Sequence, residues 1–315
     1  MAVPLTEPAD GVPDVVTDPE ALRAAATALA TGTGPIAVDT ERASGYRYSQ
    51  RAYLVQLRRT GAGTVLVDPI PFDGNLGPLV DAVAGAEWVL HAASQDLPCL
   101  AELNLRPTSL FDTELAGRLA GFERVALGTL VERLLGFQLE KGHGAADWSQ
   151  RPLPADWLNY AALDVELLIP LRDTLEQELA DQGKLEWALE EFEAVRTAPP
   201  PRPRPEPWRR TSGIHRVRTP RQLAAVRALW QARDAIARER DLSPGRVLPD
   251  RAVVEAALAD PADEAELVRL PVFRGRSQRR LAGVWAESLR SARALPKADL
   301  PDPSPPHDGP PPPGR

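Results

Sequence analysis

The sequence contains a single cysteine, Cys99, in 315 residues. One thiol excludes an internal disulfide, so we expect a reducing, cytoplasmic setting. The chain also lacks an apolar run approaching the ~20 residues of a membrane-spanning helix, and no basic-then-apolar signal segment opens it. We therefore expect neither secretion nor a membrane partner, and nothing in the sequence points to an obligate protein partner.

Lysine is absent from the stretch 201–255, although this stretch carries 13 arginines against 6 acidic residues. The excess is seven positive charges, which leaves −14 for the remainder of a chain whose formal charge is −7. A basic segment beside an acidic domain is typical of proteins that bind a polyanion. We therefore predict nucleic-acid contacts at Arg216, Arg218 and Arg221. The alternative is a solvated arginine-rich surface that reflects a GC-rich genome.

Composition divides the chain into five segments. We predict a flexible lead-in at 1–16, an α/β domain at 17–196 and a Pro/Arg-rich linker at 197–212. An all-helical domain at 213–292 and a Pro-rich, disordered tail at 293–315 are expected to follow.

The α/β domain is predicted from three strands followed by alternating helices and strands. Asp18 is expected to cap the first helix, with Pro19 in its first turn. Gly61-Ala62-Gly63 is typical of a hairpin turn between the second and third strands. This order indicates a mixed sheet flanked by helices. The predicted strands are 36–39, 52–57, 64–68, 88–91 and 109–111, and the later helices are 76–84, 96–103, 113–119, 127–135, 154–182 (interrupted at Pro170) and 186–195.

Four acidic side chains lie at the ends or on the faces of these elements. Asp39 and Glu41, two residues apart on a strand, point to the same face, and hard divalent cations are held by such oxygen ligands. Asp96 begins a helix directly after a strand. Tyr160 and Asp164, four residues apart, share one face of a helix. Together they predict a two-metal site for phosphoryl displacement, in which the tyrosine orients the attacking water.

Each of these residues also has a plainer structural interpretation. Asp96 alone is a candidate helix cap, and Tyr160 alone is typical of a half-buried core aromatic. Asp112 is interpreted first as a cap and second as a metal ligand, and His91 as a structural residue that makes local hydrogen bonds. The combination of acids, in this order and on these elements, is more specific than any one of them.

Three motifs contain these residues, namely Val38-Asp39-Thr40-Glu41, His91-Ala92-Ala93-Ser94-Gln95-Asp96 and Tyr160-Ala161-Ala162-Leu163-Asp164. On these motifs, residues 13–195 resemble ribonuclease D, a family of 3′-5′ exoribonucleases in the DEDD superfamily. The resemblance is to the tyrosine subclass, because Asn159 stands where the sister subclass carries histidine. Residues 213–292 resemble the helical (HRDC) domain that RecQ-type helicases share with ribonuclease D, on the motif Leu248-Pro249-Asp250 and the preceding helix.

The resemblance implies an RNase H-like fold and two Mg²⁺ or Mn²⁺ ions. Asp39 would bridge both ions, and Asp96 would serve the second. Glu41 and Asp164 would complete the site of the nucleophilic water, which Tyr160 would position. The implied reaction removes nucleoside 5′-monophosphates from RNA 3′ ends, as in transfer RNA processing or RNA turnover.

Further substrate contacts are predicted outside the three motifs. Lys141 and His143 lie in a loop, where a solvated lysine and a plain loop histidine are the alternatives. Members of the family often place an aromatic directly after the motif glutamate, and this chain has Arg42 there. Tyr46 or Tyr48 is expected to supply the stacking surface instead, since any base offers a π-face to an aromatic.

Two other functions stay open from the sequence. One is a 3′-5′ exonuclease that acts on single-stranded DNA, because the groups that read a 2′-hydroxyl are not identified. The other is a nucleic-acid-binding scaffold without chemistry, which replacement of any of the four acids would favour; none is replaced.

Overall fold

The computed structural model describes residues 2–140, 142–200 and 202–303, and it divides into two compact units. The first unit comprises Met1–Gly45 and Gln50–Pro201, and the second comprises Tyr46–Ser49 and Arg202–Arg315. Lys141 and the last part of the predicted tail, 304–315, lie outside the described residues. In the described part of the chain, no helix combines the length and the apolarity needed to cross a membrane.

The described residues of the first unit form eight strands and eight α-helices. The strands are β1 (Val3–Leu5), β2 (Val15–Val16), β3 (Thr33–Arg42), β4 (Ala52–Thr60), β5 (Gly63–Val67), β6 (Glu87–Leu90), β7 (Ser109–Asp112) and β8 (Phe137–Leu139). The helices are α1 (Pro19–Thr31), α2 (Gly77–Val83), α3 (Leu97–Glu102), α4 (Thr113–Leu119), α5 (Leu127–Leu135), α6 (Ala155–Glu166), α7 (Leu168–Asp181) and α8 (Leu185–Thr197).

Six of the strands form one mixed sheet in the order β2-β5-β4-β3-β6-β7. β3, β4 and β5 are antiparallel neighbours, whereas β6 and β7 continue the sheet in parallel from β3, and β2 pairs in parallel with β5. β1 and β8 form a separate two-stranded parallel sheet. The predicted mixed α/β sheet with flanking helices is therefore confirmed.

The two faces of the large sheet carry separate hydrophobic cores. Successive residues of β3 alternate between them, since Ile36 and Val38 belong to one core and Ala37 to the other. Buried residues of α1, α2 and α3 pack in the first core, and those of α4, α5, α7 and α8 in the second. Burying each such aliphatic side chain contributes about 1.5–3 kcal/mol, which is what fixes the register of the central strands.

Local signals place the ends of the first elements as expected. The Asp18 side chain accepts hydrogen bonds from the backbone N–H groups of Glu20 and Ala21 at 2.9 and 3.0 Å, so it caps α1. The turn between β4 and β5 uses two glycines, Gly61 and Gly63, at φ of 85° and 75°, a conformation that a side chain would strain. The hairpin predicted at this point is present.

The lead-in at 1–16 contains two strands that its sequence pattern does not indicate. β1 and β2 span three and two residues, too few to show an alternation of apolar and polar positions. Partners far along the chain hold this segment in place. β2 pairs with β5, and directly after β1 the backbone carbonyl of Thr6 accepts a hydrogen bond from Asn159 Nδ2 at 2.7 Å.

The described residues of the second unit form helices and no strands. A capping box starts α9, in which Thr219 and Gln222 satisfy each other's backbone N–H groups. The carbonyls of Asp299 and Asp302, within the predicted tail, accept hydrogen bonds from Arg227 and Arg209. The helices are α9 (Pro220–Arg240), α10 (Pro244–Val247), α11 (Asp250–Ala259), α12 (Glu264–Leu267), α13 (Arg276–Arg280) and α14 (Ala282–Ala294).

Candidate active site

The central strand β3 presents the first two acids. Asp39 pairs with Gln56 of β4 and Glu41 with Leu54, so both acids continue the alternation that puts Ala37 in the second core. They therefore lie on one face of the sheet, as the sequence predicts. Glu41 is buried and Asp39 half-buried.

Helix α6 brings Tyr160 and Asp164 to the same place. One carboxylate oxygen each from Asp39, Glu41 and Asp164 lie within 4.8 Å of one another. These side chains line a cleft of about 260 Å³, together with Tyr160 and Asp96. The five residues singled out in the sequence thus converge on one cleft of the first unit.

Asp96 lies at the cleft but is held differently from the other acids. It occupies the N-cap position of α3 without making a side-chain capping bond. Its Oδ1 instead accepts a hydrogen bond from Thr40 Oγ1 at 2.6 Å and lies 3.7 Å from Arg42 Nη2. Asp96 therefore takes the N-cap position that the alternative interpretation assigns to it, but its carboxylate makes no capping bond and is turned toward β3.

Burial raises the pKa of every carboxyl in the cluster, and repulsion by neighbouring acids adds to this for Asp39 and Glu41. Burial is the largest cause for Asp39, and the charges of Asp96, Asp164 and Glu41 raise its pKa further. Burial and the same repulsion raise the pKa of Glu41 to about 9, and burial raises that of Asp164 to about 7. The pKa of Asp96 is also raised by burial, against the opposing effects of Thr40 and Arg42.

The repulsion between these buried carboxylates raises the question of whether the residues fit a metal ion. The oxygens of Asp39, Glu41 and Asp164 are close enough to share a cation. Among the described residues, no lysine or arginine forms an ion pair with any of the three, and Arg42 only partly offsets the repulsion on Glu41. Hard divalent cations prefer oxygen donors of this kind. The donor set therefore fits a divalent metal ion, and such an ion would relieve the repulsion.

Tyr160 keeps its proton in this environment. Burial raises the pKa of its hydroxyl above the ordinary tyrosine value, and the nearby carboxylates of Asp164, Glu41 and Asp39 raise it further. A hydroxyl that stays neutral can orient a water molecule but does not serve as a general base.

The loop that begins at Gly142 passes over Tyr160. The His143 ring stands edge-on to the Tyr160 ring at 5.8 Å, and its Nε2 lies 3.5 Å from Asp156 Oδ2. Buried Trp148 donates its Nε1 hydrogen to the His143 carbonyl at 3.1 Å. Arg151 then fixes the loop, since its Nε and Nη2 donate to both oxygens of Asp68 at 2.6 and 2.8 Å. His143 thus lies in a loop that is held beside Tyr160, and its contact with substrate stays a prediction.

Comparisons with known proteins identify the family. A family model described as a 3′-5′ exonuclease matches residues 13–180, and one described as an HRDC domain matches residues 222–288. The curated ribonuclease D of Bartonella henselae is 32% identical over 241 residues, which cover 75% of this chain and 58% of that protein. The chain belongs to the ribonuclease D family.

Solved structures agree with the ribonuclease D assignment. The crystal structure of Escherichia coli RNase D, described as an exoribonuclease involved in structured RNA processing, matches with a TM-score of 0.72 and 29% identity, over 92% of this chain and 77% of that one. A protein from Bifidobacterium adolescentis matches with a TM-score of 0.91 and 40% identity, over 96% and 79% of the two chains. The predicted family and fold class are confirmed.

Two residues near the cleft of the acids have structural roles. Asp112 caps α4 through Glu114 and Leu115, and it also accepts the backbone N–H groups of Ala92 and Ala93 at 3.1 and 2.8 Å. His91 Nδ1 lies 2.9 Å from Thr113 Oγ1, and burial lowers the pKa of the imidazole. The side chain of Asp112 therefore holds the turn that precedes Asp96, in agreement with its interpretation as a cap.

The helical unit uses several of its arginines internally. Arg221 Nη1 donates to three backbone carbonyls at the end of α14, those of Ala292, Arg293 and Leu295. This bonding accounts for Arg221 without nucleic acid. Arg216 and Arg218 are exposed, and their contact with nucleic acid stays a prediction.

The predicted stacking residue Tyr46 lies in the second unit. The Arg246 guanidinium is 4.1 Å from the centre of its ring, and the Tyr46 carbonyl accepts a hydrogen bond from Ser243 N at 2.9 Å. Tyr48 is likewise engaged, because its hydroxyl donates to Asp234 Oδ1 at 3.0 Å. Base stacking on Tyr46 stays a prediction.

Sequence reasoning missed two residues at the cleft. Thr40 lies between the two motif acids but on the opposite side of the strand, so alternation gives no sign that it reaches Asp96. Arg42 also approaches Asp96, and its Nη1 donates to the Gln95 carbonyl at 2.8 Å. The only sequence signal for Arg42 is its position directly after the motif glutamate.

Proposed function

We propose that this protein removes nucleoside 5′-monophosphates one at a time from RNA 3′ ends. The observation that carries the proposal is the group of three carboxylates, Asp39, Glu41 and Asp164, whose oxygens lie within 4.8 Å of one another in an open cleft. Membership of the ribonuclease D family supports the same reaction. All four motif acids are present, which favours an enzyme over a scaffold.

The acids would hold two divalent ions, Mg²⁺ or Mn²⁺. Glu41 and Asp164 would hold one ion with Asp39, and Asp39 would share the second with Asp96. When bound, such ions lower the pKa of a water and offset the charge that develops on the leaving oxygen. The excess negative charge of the cluster is what makes the site selective for cations.

The protein's own side chains would position the attacking water and exclude other water from the cleft. Tyr160 holds its hydroxyl next to Asp164 and remains protonated, so it can orient the attacking water without taking its proton. Leu127 and Leu168 line the cleft with apolar surface. His143 packs edge-on to the Tyr160 ring and limits its rotation.

We propose RNA, and transfer RNA precursors in particular, as the substrate. The relatives named ribonuclease D, and the description of the Escherichia coli enzyme as acting in structured RNA processing, support this choice. Single-stranded DNA is the alternative substrate. A cytoplasmic setting, expected from the single cysteine, stays a prediction and agrees with Cys99 being a buried free thiol.

A time course on 3′-labelled, 3′-extended transfer RNA tests the function. We expect successive release of labelled 5′-monophosphates in Mg²⁺ or Mn²⁺ and none in EDTA. Matched single-stranded RNA and DNA of the same sequence serve as the comparison, and RNA is expected to be degraded faster. Internal cleavage products would contradict the proposal, and equal rates on the two sugars would remove its RNA specificity.

Replacing Tyr160 by Phe tests the orientation of the water. The change removes one hydrogen bond, worth about 1–1.5 kcal/mol, so we expect kcat to fall about tenfold. The KM for RNA should change little, because the ring and its packing against His143 remain. Steady-state rates on the labelled RNA measure both values.

Tyr53→Phe is the matched control for Tyr160→Phe. Tyr53 is another buried tyrosine of the first unit, its hydroxyl accepts a hydrogen bond from Arg51, and it does not line the cleft. Its variant should keep the wild-type kcat. An unchanged kcat in Tyr160→Phe, or an equal loss in the control, would refute the assigned role.

A further inference from the structure

Arg42 stands at the end of β3, directly after the catalytic Glu41. The pairing of β3 with β4 shifts register between these two residues, and a bulge of this kind redirects the side chain that follows it. The Arg42 guanidinium is consequently aimed at the start of α3. Its Nη1 donates to the Gln95 carbonyl at 2.8 Å, and Nη2 lies 3.7 Å from Asp96 Oδ1.

These two contacts leave much of the guanidinium unused. A guanidinium has five N–H donors, and among the described residues Arg42 makes one side-chain hydrogen bond. The separation from Asp96 exceeds hydrogen-bond range, so that contact is an ion pair only. The side chain is 26% exposed, which leaves its donors accessible from the cleft.

Arg42 lies between two neighbouring clefts of the first unit and lines both of them. Among the described residues, Arg42 is the one lysine or arginine that lines the cleft of the acids. It also lines an adjoining cleft of about 280 Å³, whose other wall is the small-residue segment 144–146. A strand of nucleic acid that extends from the acids into this second cleft would place a phosphate beside Arg42.

We propose that Arg42 binds a backbone phosphate next to the scissile one at the RNA 3′ end. The inference rests on the proposed function, because it takes the carboxylate cluster as the place of cleavage. Arginine suits the task, since its planar fork pairs with two phosphate oxygens at once. The hydrogen bond from Arg42 to the Gln95 carbonyl restricts the arginine side chain before RNA binds. The side chain therefore loses less conformational entropy on binding.

The contact also explains why a cation is tolerated beside a metal-binding cluster. Among the described residues, the acid of the cluster with which Arg42 forms an ion pair is Asp96, which lies outside the group of Asp39, Glu41 and Asp164. An ion held by Asp96 would share that carboxylate's charge and weaken its attraction for Arg42. The guanidinium would then be free to pair with the phosphate that arrives with the substrate.

A double-mutant cycle between protein and RNA tests the proposal. Binding of a short 3′-labelled RNA is measured by fluorescence anisotropy in Mg²⁺, in an Asp39→Asn background that keeps the RNA intact. Arg42→Gln should weaken binding about tenfold, the value of one charged hydrogen-bonded contact. It should also reduce the slope of log K against log salt by about 0.7, as expected for one lost phosphate contact.

The RNA side of the cycle locates the phosphate. Neutral methylphosphonate linkages are placed singly at each of the last three positions, and the effect of Arg42→Gln should vanish at one of them. Arg42→Lys keeps the charge but not the fork, so it should recover part of the lost affinity. Arg23→Gln, which removes an exposed arginine of α1, is the control for net charge and should bind as the parent does.

Three results would overturn the proposal. Arg42→Gln could bind RNA as tightly as the parent, or its effect could vanish with an abasic 3′ residue rather than with a neutral linkage. The variant could also require more Mg²⁺ for half-maximal rate in an otherwise wild-type chain while RNA binding is unchanged, which would reduce Arg42 to a support for Asp96. If the wild-type chain degrades RNA in any of these cases, the proposed function stands and only this inference fails.

Discussion

Asp39→Asn should lose at least about 10³-fold in kcat, since several kcal/mol of transition-state stabilisation depend on the metal charge that this carboxylate helps to hold. Asp39 is central to the cluster, because Asp96, Asp164 and Glu41 each raise its pKa. Asparagine keeps the shape and one oxygen but removes the charge. The rate of monophosphate release from 3′-labelled RNA measures the loss.

The same variant should leave the fold intact. Replacing an acid that repels its neighbours removes an unfavourable burial, so the metal-free protein should melt at a temperature equal to or above that of the wild type. Glu20→Gln, at an exposed position on α1, is the control and should keep full activity. Turnover by Asp39→Asn at the wild-type rate would remove the carboxylate cluster from the mechanism.

The metal-free protein should lose stability as the pH rises from about 5 to about 9. The folded-state pKa of Glu41 is raised to about 9 and that of Asp164 to about 7, whereas both titrate near 4 in the unfolded chain. The folded state therefore binds more protons than the unfolded state in this window. Stability is fully present below the unfolded pKa values and falls as these carboxyls ionise, by an amount on the order of a few kcal/mol.

Divalent metal should reverse this trend. Mg²⁺ or Mn²⁺ binds the deprotonated carboxylates of the folded state, so its stabilisation grows with pH. Thermal unfolding at a series of pH values, in EDTA and in each metal, measures the two slopes. Glu41→Gln should flatten the EDTA slope above pH 7, and Glu20→Gln should not. A metal-free slope of the opposite sign would show that the acids are already neutralised within the chain.

The main elements of the fold were predictable because each carries a local signal. Asp18 caps α1 and the glycines at 61 and 63 form the β4–β5 turn, and both depend on short-range chemistry that the sequence displays. β1, β2 and β8 carry no such signal. They are two or three residues long and are defined by pairing with distant or neighbouring segments rather than by their own pattern.

The sequence was sufficient to predict which residues come together at the candidate site. The two-residue spacing of Asp39 and Glu41 and the four-residue spacing of Tyr160 and Asp164 fix their faces. The hydrogen bond from Thr40 to Asp96 and the placement of His143 against Tyr160 were not predictable. They depend on how a strand, a helix and a loop pack in space, which no periodicity within one element records.

The segment Tyr46–Ser49 has a consequence for how the chain matures during synthesis. The backbone N–H groups of Tyr48 and Ser49 are satisfied by Asp241, which is 193 residues beyond Tyr48. At ~5–20 residues per second, a ribosome takes roughly 10–40 s to deliver that partner. The connection between β3 and β4, only a few residues after Glu41, therefore acquires its last hydrogen bonds late, after the strands it joins have been made.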